Sequence, residues 1–184
     1  GSNFSSSYDW RSSSSQKTSA LKFADIDVDG DLDLVVGNGE TLNAGQQNEI
    51  FFNNNGVIST TAGWSSSDSK ETMDIAVADM DEDGYPDLVV GNEGSSAQIF
   101  YNSASGMSTT ADSNWSPTES SDSDSVALGD VDGDGDLDIA LGQGNGIHIY
   151  KNSGSEIADS PAWSSTATTR NHALAWGDID GDGD

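Results

Sequence analysis

The chain has 184 residues, enough for one domain of ordinary size, and carries 32 acidic against 6 basic side chains. The net charge of -26 excludes a simple nucleic-acid binder, and the lack of cysteine excludes disulfides and thiolate metal sites. No apolar run approaches the roughly 18 residues of a membrane-spanning helix, so we expect no membrane insertion.

Internal repeats organise the chain. Short acidic stretches, which together hold 19 of the acidic side chains, begin at Asp25, Asp79, Asp130 and Asp178. The starts are 54, 51 and 48 residues apart, and a tryptophan precedes each by 15 residues. We predict the end of a preceding repeat at residues 1–19, repeats at 20–71, 72–123 and 124–170, and a truncated repeat at 171–184.

Each repeat is predicted to form four short β-strands and no helix. In the first strand large apolar residues alternate with small ones, as in L-K-F-A and I-A-V-A, which suits an inner strand crowded by neighbouring sheets. The second strand, L-V-V-G or I-A-L-G, is a continuous apolar run and is expected to be buried on both faces. The third reads E-I-F-F-N, Q-I-F-Y-N or H-I-Y-K-N, and a weaker fourth contains or adjoins the tryptophan.

The constant position of the tryptophans predicts a packing residue between repeats, with a carbohydrate-stacking stripe as the alternative. They are Trp10, Trp64, Trp115 and Trp163. Linkers rich in serine and threonine, such as residues 65–69, lead to the next repeat and are expected to be exposed. Replacing Ser66 by alanine is therefore expected to change little.

The acidic stretch at residues 25–33 reads D-I-D-V-D-G-D-L-D. On a tight loop, side chains at positions 1, 3, 5 and 9 can turn inward with the carbonyl of position 7, forming the all-oxygen cage that Ca²⁺ prefers. The glycine at position 6 permits the sharp turn. The pattern recurs at 79–87 and 130–138, and at 178–184 without its ninth position. An EF-hand does not fit, because position 12 is valine or leucine in a strand-like run and not a glutamate between helices.

These motifs resemble the FG-GAP/VCBS repeat family, which is found in integrin α-subunit head domains and bacterial surface proteins. The resemblance is carried by A-D-I-D-V-D-G-D-L-D-L-V-V-G-N and its copies, followed by I-F-F-N-N-N-G or I-H-I-Y-K-N-S-G. Literal Phe-Gly and Gly-Ala-Pro signatures are missing, so the bacterial variety fits better. The resemblance implies that each repeat is a four-stranded propeller blade whose aspartate loop joins the first two strands around Ca²⁺.

The resemblance also implies three complete Ca²⁺ sites and one incomplete site. The first has Asp25, Asp27, Asp29, Asp33 and the Asp31 carbonyl as ligands. The second has Asp79, Asp81, Asp83, Asp87 and the Tyr85 carbonyl. The third has Asp130, Asp132, Asp134, Asp138 and the Asp136 carbonyl. The fourth has Asp178, Asp180, Asp182 and the Asp184 carbonyl.

The expected fold is all-β, with blade repeats of about 50 residues forming part of a β-propeller or, alternatively, an open linear array or fibre. We expect a fragment of a longer repetitive protein, extracellular or on the cell surface, with a structural or adhesive role and no enzymatic activity. The expected partners are calcium ions, further copies of the repeat, a surface protein or a glycan. A lectin-like propeller and a non-catalytic part of an extracellular hydrolase or lyase are the alternatives.

Overall fold

The computed structural model describes residues 9–39, 45–118, 122–154, 156–166 and 171–177. The described residues form thirteen β-strands and no helix, so the all-β prediction is confirmed. The strands of the first half are β1 (Thr18–Ala24), β2 (Asp33–Asn38), β3 (Glu49–Phe51), β4 (Asn53–Asn54), β5 (Val57–Ile58) and β6 (Trp64–Ser65). The others are β7 (Glu71–Ala78), β8 (Asp87–Glu93), β9 (Gln98–Phe100), β10 (Ser123–Gly129), β11 (Asp138–Gln143), β12 (Gly146–Tyr150) and β13 (Trp163–Ser164).

Three small antiparallel sheets follow one another along the chain. Their strand orders are β1-β2-β3-β6, β7-β8-β9 and β10-β11-β12-β13, so each begins as a meander. The fourth strand is the tryptophan strand in the first and third sheets, whereas Trp115 lies outside any strand. A hairpin of β4 and β5 turns at Asn55-Gly56, where both residues have positive φ, as the Asn-Gly pair predicts. The repeat boundaries given above remain a prediction.

The apolar core lies between successive sheets. One cluster joins the first and second sheets and includes Val35, Ile50, Ile75 and Phe100. Another joins the second and third sheets and includes Ile99, Ile139 and Tyr150. The first strands of neighbouring sheets lie beside each other, β1 next to β7 and β7 next to β10. This stacking of small sheets is that of repeat blades in a partial propeller or an open array.

The second strand of each sheet is buried over six consecutive residues, as its continuous apolar run predicts. A glycine near its end lets the next sheet approach closely. A β-carbon placed on Gly37 would lie 2.8 Å from Cγ2 of Thr72 in the next sheet. One placed on Gly91 would lie 2.7 Å from the carbonyl oxygen of Ser123. The glycine therefore sets the distance between sheets.

Replacing Gly91 by alanine should force the second and third sheets apart. Because the obstructing atom belongs to the backbone, the expected loss is about 1–3 kcal/mol in the free energy of unfolding. Gly144→Ala is the matched control, since a β-carbon there meets no atom within 4 Å and its φ is not positive. Denaturant unfolding at fixed Ca²⁺ measures both; equal losses would contradict a sheet-spacing role for Gly91.

The tryptophans join one repeat to the next, as packing residues. Each indole ring meets an aromatic ring of a following third strand nearly edge-on, in the pairs Trp10–Phe51, Trp64–Phe100 and Trp115–Tyr150 at 5.5, 5.6 and 6.0 Å. Their indole N–H groups donate to the carbonyls of Ile58, Ser108 and Ala158, respectively. The amide three residues after each tryptophan donates to a second carbonyl nearby, in the pairs Ser13–Thr60, Ser67–Thr109 and Thr118–Asp159.

We call this arrangement, a tryptophan and the amide three residues later, the tryptophan clamp. Trp64 and Trp115 are 8% and 6% exposed, so neither ring presents a face for stacking against a sugar. The clamp thus holds successive sheets together through one ring contact and two hydrogen bonds.

Two expectations about exposure are wrong. Leu21 and Phe23 of β1 are 56% and 60% exposed, because no sheet in the described part of the chain packs against that side of the first sheet. Their counterpart Ile75 is buried by the first sheet. Ser66 is buried, accepts a hydrogen bond from the Asn48 amide at 3.0 Å and donates to the Asp68 carbonyl at 2.9 Å, so alanine there would break two contacts.

Candidate metal centres

The acidic loops connect the first two strands of each sheet and share one backbone shape. Position 6 is a glycine with positive φ in all three, at 97° for Gly30, 93° for Gly84 and 101° for Gly135. Position 4 is also left-handed, although it is Val28, Glu82 or Gly133. Two left-handed residues two positions apart curl the loop tightly enough for its first and ninth residues to approach each other.

The carboxylate at position 1 organises the turn. In the first loop Asp25 accepts the amides of Asp29 and Gly30 at 3.0 and 2.9 Å. Asp79 accepts the equivalent amides of the second loop at 3.1 and 2.8 Å. In the third loop, hydrogen bonds led by the one from Gly135 lower the pKa of Asp130 below its usual value. In all three loops the position 1 carboxylate thus fixes the main chain of the turn.

The carboxylate at position 9 is buried at the start of the second strand. Asp33, Asp87 and Asp138 are each 0% exposed. One oxygen of Asp87 accepts the Met80 amide of its own loop at 2.8 Å, and the other accepts the Asn102 amide at 2.7 Å. The same pair of contacts occurs in the other two loops. Position 9 thus pins the loop to the end of the third strand.

Carboxylate oxygens converge inside each loop. In the second loop oxygens of Asp79, Asp81 and Asp87 lie within 4.8 Å of one another, which brings together positions 1, 3 and 9. The same positions converge in the third loop, at Asp130, Asp132 and Asp138. In the first loop the group consists of positions 1, 3 and 5, at Asp25, Asp27 and Asp29. Each of these groups can hold a metal ion.

The other predicted ligands lie close to these groups. Asp83 and Asp134 at position 5 accept the amide of position 7 at 3.0 Å in both loops, from Tyr85 and Asp136. In the first loop the position 7 amide of Asp31 donates to Asp29 at 2.9 Å. The carbonyl role of position 7 and the complete ligand sets remain predictions. Asp178, Asp180, Asp182 and Asp184 lie outside the described residues.

Burial raises the pKa of four carboxyl groups in these loops. Burial raises the pKa of Asp87 to about 7 and also raises the pKa of Asp138 and Asp81. For Asp27, burial comes first and the negative charges of Asp33, Asp29 and Asp25 add to the rise in pKa. A cation among these oxygens would favour the charged forms, because it offsets the repulsion between them.

The repeats of this chain match a known protein family. The FG-GAP-like repeat family matches residues 25–90, 79–141 and 130–184, in three overlapping segments. The chain belongs to the FG-GAP-like repeat family. A search of curated proteins found no match. Each family segment begins at an acidic loop, so the matches follow the repeat that the aspartates and tryptophans define.

The FG-GAP-like repeats are joined by asparagines whose role the sequence did not predict. Asn102, which follows the third strand, donates its side-chain amide to the Ile26 carbonyl of the preceding loop at 2.8 Å. Asn152 donates to the Met80 carbonyl in the same way at 2.7 Å. Both asparagines are 4% exposed. The sequence does contain a signal for this role, because an asparagine recurs at the end of each I-F-F-N-like strand.

A lysine lies beside the third FG-GAP-like loop. The ammonium group of Lys151 forms an ion pair with Asp132, and hydrogen bonding to that carboxylate raises the pKa of Lys151. Phe52 and Tyr101 hold the equivalent position in the first two repeats. The third loop therefore carries one local positive charge that the first two do not have at this position.

FG-GAP-like repeats are generally non-catalytic and typically extracellular. Among the described residues, no helix is both long enough and apolar enough to cross a membrane.

Proposed function

We propose that this chain is an extracellular Ca²⁺-binding repeat module with a structural or adhesive role. The observation that carries the proposal is the convergence of carboxylate oxygens within 4.8 Å in three successive loops. Family membership adds that the loops belong to a repeat of generally non-catalytic proteins. Since 19 of the 32 acidic side chains lie in the four acidic loops, most of the negative charge is placed where it can bind a cation, which supports a structural or adhesive role.

The donor chemistry of the loops fits Ca²⁺. Carboxylates are hard oxygen donors, and no thiolate is available because the chain has no cysteine. Ca²⁺ takes six to eight oxygens in a flexible shell, whereas Mg²⁺ demands a smaller, nearly octahedral one that keeps its water. A loop that offers three carboxylates within 4.8 Å, with further acids at its rim, favours the larger ion.

In each loop the bound ion would neutralise charge and would take no part in a reaction. In the second loop Asp79, Asp81 and Asp87 would hold it, together with Asp83 and the Tyr85 carbonyl. Main-chain amides already orient Asp79, Asp83 and Asp87, so these side chains need little rearrangement to meet a cation. Because position 9 is tied to the third strand, binding in the loop stabilises the sheet.

Calorimetric titration of the chelated chain tests the proposal. We expect about three tight Ca²⁺ equivalents from the three complete loops, and much weaker binding of Mg²⁺. Asp81→Asn should remove one equivalent. Glu82→Gln is the matched control, because it removes a neighbouring charge of the same loop that is not a predicted ligand. Absence of Ca²⁺ binding, or three tight equivalents in Asp81→Asn, would overturn the proposal.

A further inference from the structure

A fourth tryptophan clamp is formed in the third sheet without a partner among the described residues. Trp163 lies on β13, and its register opposite Ile149 on β12 matches that of Trp64 opposite Ile50. Trp163 is 52% exposed, whereas Trp64 and Trp115 are buried. Val131, Ile149, Ala162 and the side chain of Lys151 line a largely apolar surface around it. We call these five residues the Trp163 face.

The first sheet carries the surface that such a clamp receives. Phe51 and the carbonyls of Ile58 and Thr60 are contacted by Trp10 and Ser13. Equivalent groups in the second and third sheets receive the clamps of Trp64 and Trp115. The Trp163 face and the first sheet are therefore complementary surfaces at the two ends of the described stack of sheets.

Asn53 shows that the first sheet lacks a neighbour that its counterparts have. Asn102 and Asn152 donate to the carbonyl at position 2 of the preceding loop, on Ile26 and Met80. Within the described residues the side-chain amide of Asn53 donates to Leu32 of its own loop, as Asn152 also does to Leu137, but to no neighbouring loop. The matching carbonyl in the third loop is that of Val131, beside Trp163.

We propose that a second copy of this chain docks its first sheet on the Trp163 face. Trp163 and the amide of Thr166 then take the place of the second copy's own Trp10 and Ser13, against Phe51 and the carbonyls that follow it. Asn53 of that copy can reach the Val131 carbonyl, as Asn102 reaches Ile26. This inference rests on the proposed structural role and names its partner.

Replacement of Trp10 by the Trp163 of another copy is favoured because Trp163 is held in position by a strand. This exchange replaces one clamp by an equivalent clamp, as in domain swapping, so the ring contact and hydrogen bonds lost at Trp10 are made again at Trp163. Trp163 is fixed on a strand paired with β12, whereas Trp10 lies on no strand in the described part of the chain. Fixing a binding group beforehand lowers the entropy lost on association.

Docking would also replace residues 171–177, which lie on the third sheet. In that segment Trp176 lies against Gly129 of β10 and the Asn171 carbonyl accepts a hydrogen bond from Ser125, but the segment forms no strand. In a docked copy the same place would be taken by β1, which is already paired with β2. Leu21 and Phe23, more than half exposed in a single copy, would then be buried.

The two docking surfaces, the Trp163 face and the first sheet, differ from each other. A dimer therefore still has one free Trp163 face and one free first sheet, so assembly can continue beyond a dimer. Sedimentation velocity of the full chain in saturating Ca²⁺, over a range of concentrations, tests this. We expect wild-type chains to associate reversibly into dimers and longer species. Trp163→Ser should raise the dissociation constant at least about tenfold, since a central tryptophan commonly dominates an interface.

The same substitution at Trp10 should act in the opposite direction. Trp10→Ser weakens the competing clamp and should strengthen association, and the double variant should associate as weakly as Trp163→Ser. Val57→Ser is the control for loss of an exposed apolar side chain, since Val57 is 70% exposed on the β4–β5 hairpin. It should change nothing.

Three results would overturn the inference: a wild-type chain that stays monomeric, association of Trp163→Ser at wild-type strength, or a double variant that associates as strongly as Trp10→Ser. The last would mean that uncovered Phe51 simply aggregates. Ca²⁺ binding is measured on the same samples. A chain that binds Ca²⁺ but stays monomeric contradicts only this inference, whereas failure to bind Ca²⁺ contradicts the proposed function.

Discussion

Removal of Ca²⁺ should lower the melting midpoint of the chain by roughly 20 °C or unfold it. Each occupied site stabilises by about 2.7 kcal/mol at a hundredfold excess of Ca²⁺ over its Kd, if the unfolded chain binds little. Three sites then contribute about 8 kcal/mol, comparable with the whole stability of many domains. One kcal/mol corresponds to about 2–4 °C for a chain of this size.

The charge distribution explains why the chain should be less stable when Ca²⁺ is removed by a chelator. Without a cation, three carboxylates of each loop lie within 4.8 Å of one another, while unfolding lets them separate. Thermal melting with and without chelator at constant ionic strength measures the effect, and added Ca²⁺ should restore the midpoint. Mg²⁺ added to the chelated chain is the control. A midpoint unaffected by chelation would mean that Ca²⁺ does not stabilise these loops.

Two aspartates of the second loop should differ sharply when replaced by alanine. Asp87 is buried and accepts two main-chain amides, so its loss leaves the Met80 and Asn102 N–H groups without partners. At about 1–3 kcal/mol for each orphaned donor, Asp87→Ala should cost about 2–6 kcal/mol even in chelator. Asp83 is exposed and accepts the Tyr85 amide, so Asp83→Ala should cost less than about 1 kcal/mol there.

In Ca²⁺ both variants should lose stability further, because each removes a proposed ligand of the second site. Denaturant unfolding of both, with and without chelator, separates the two roles. Equal stability of the two variants in chelator would contradict the role assigned to position 9. A Ca²⁺-dependent loss in Asp87→Ala alone would remove Asp83 from the proposed ligand set.

The elements that sequence patterns predicted are those governed by local rules. Alternation and continuous apolar runs indicated the strands, and Asp-rich loops with a glycine at position 6 indicated the turns, because these depend on neighbours in the chain. The left-handed conformation at position 4 could not be predicted, because valine rarely adopts positive φ, and yet Val28 does so at 59°. Only Gly133 in the third loop carried a signal for it.

Features set by distant contacts could not be predicted from one repeat at a time. Asn102 contacts Ile26 across 76 residues, and an asparagine after a strand also suits an ordinary turn. Ser66 lies in a serine-rich linker that resembles exposed sequence, yet it is buried and hydrogen-bonded to Asn48 and Asp68. Leu21 has the pattern of a buried strand residue, but its burial depends on another sheet.

The asparagine contacts connect the three loops into one ladder. Asn102 holds the first loop through its side chain and the second loop through its main-chain amide, which Asp87 accepts. Asn152 connects the second and third loops in the same manner. A displacement of one loop is therefore transmitted to the neighbouring loop through these hydrogen bonds. Occupation of one site by Ca²⁺ should then raise the affinity of its neighbour, and by thermodynamic reciprocity the reverse holds. The chain would take up Ca²⁺ cooperatively, with the middle loop coupled to both others.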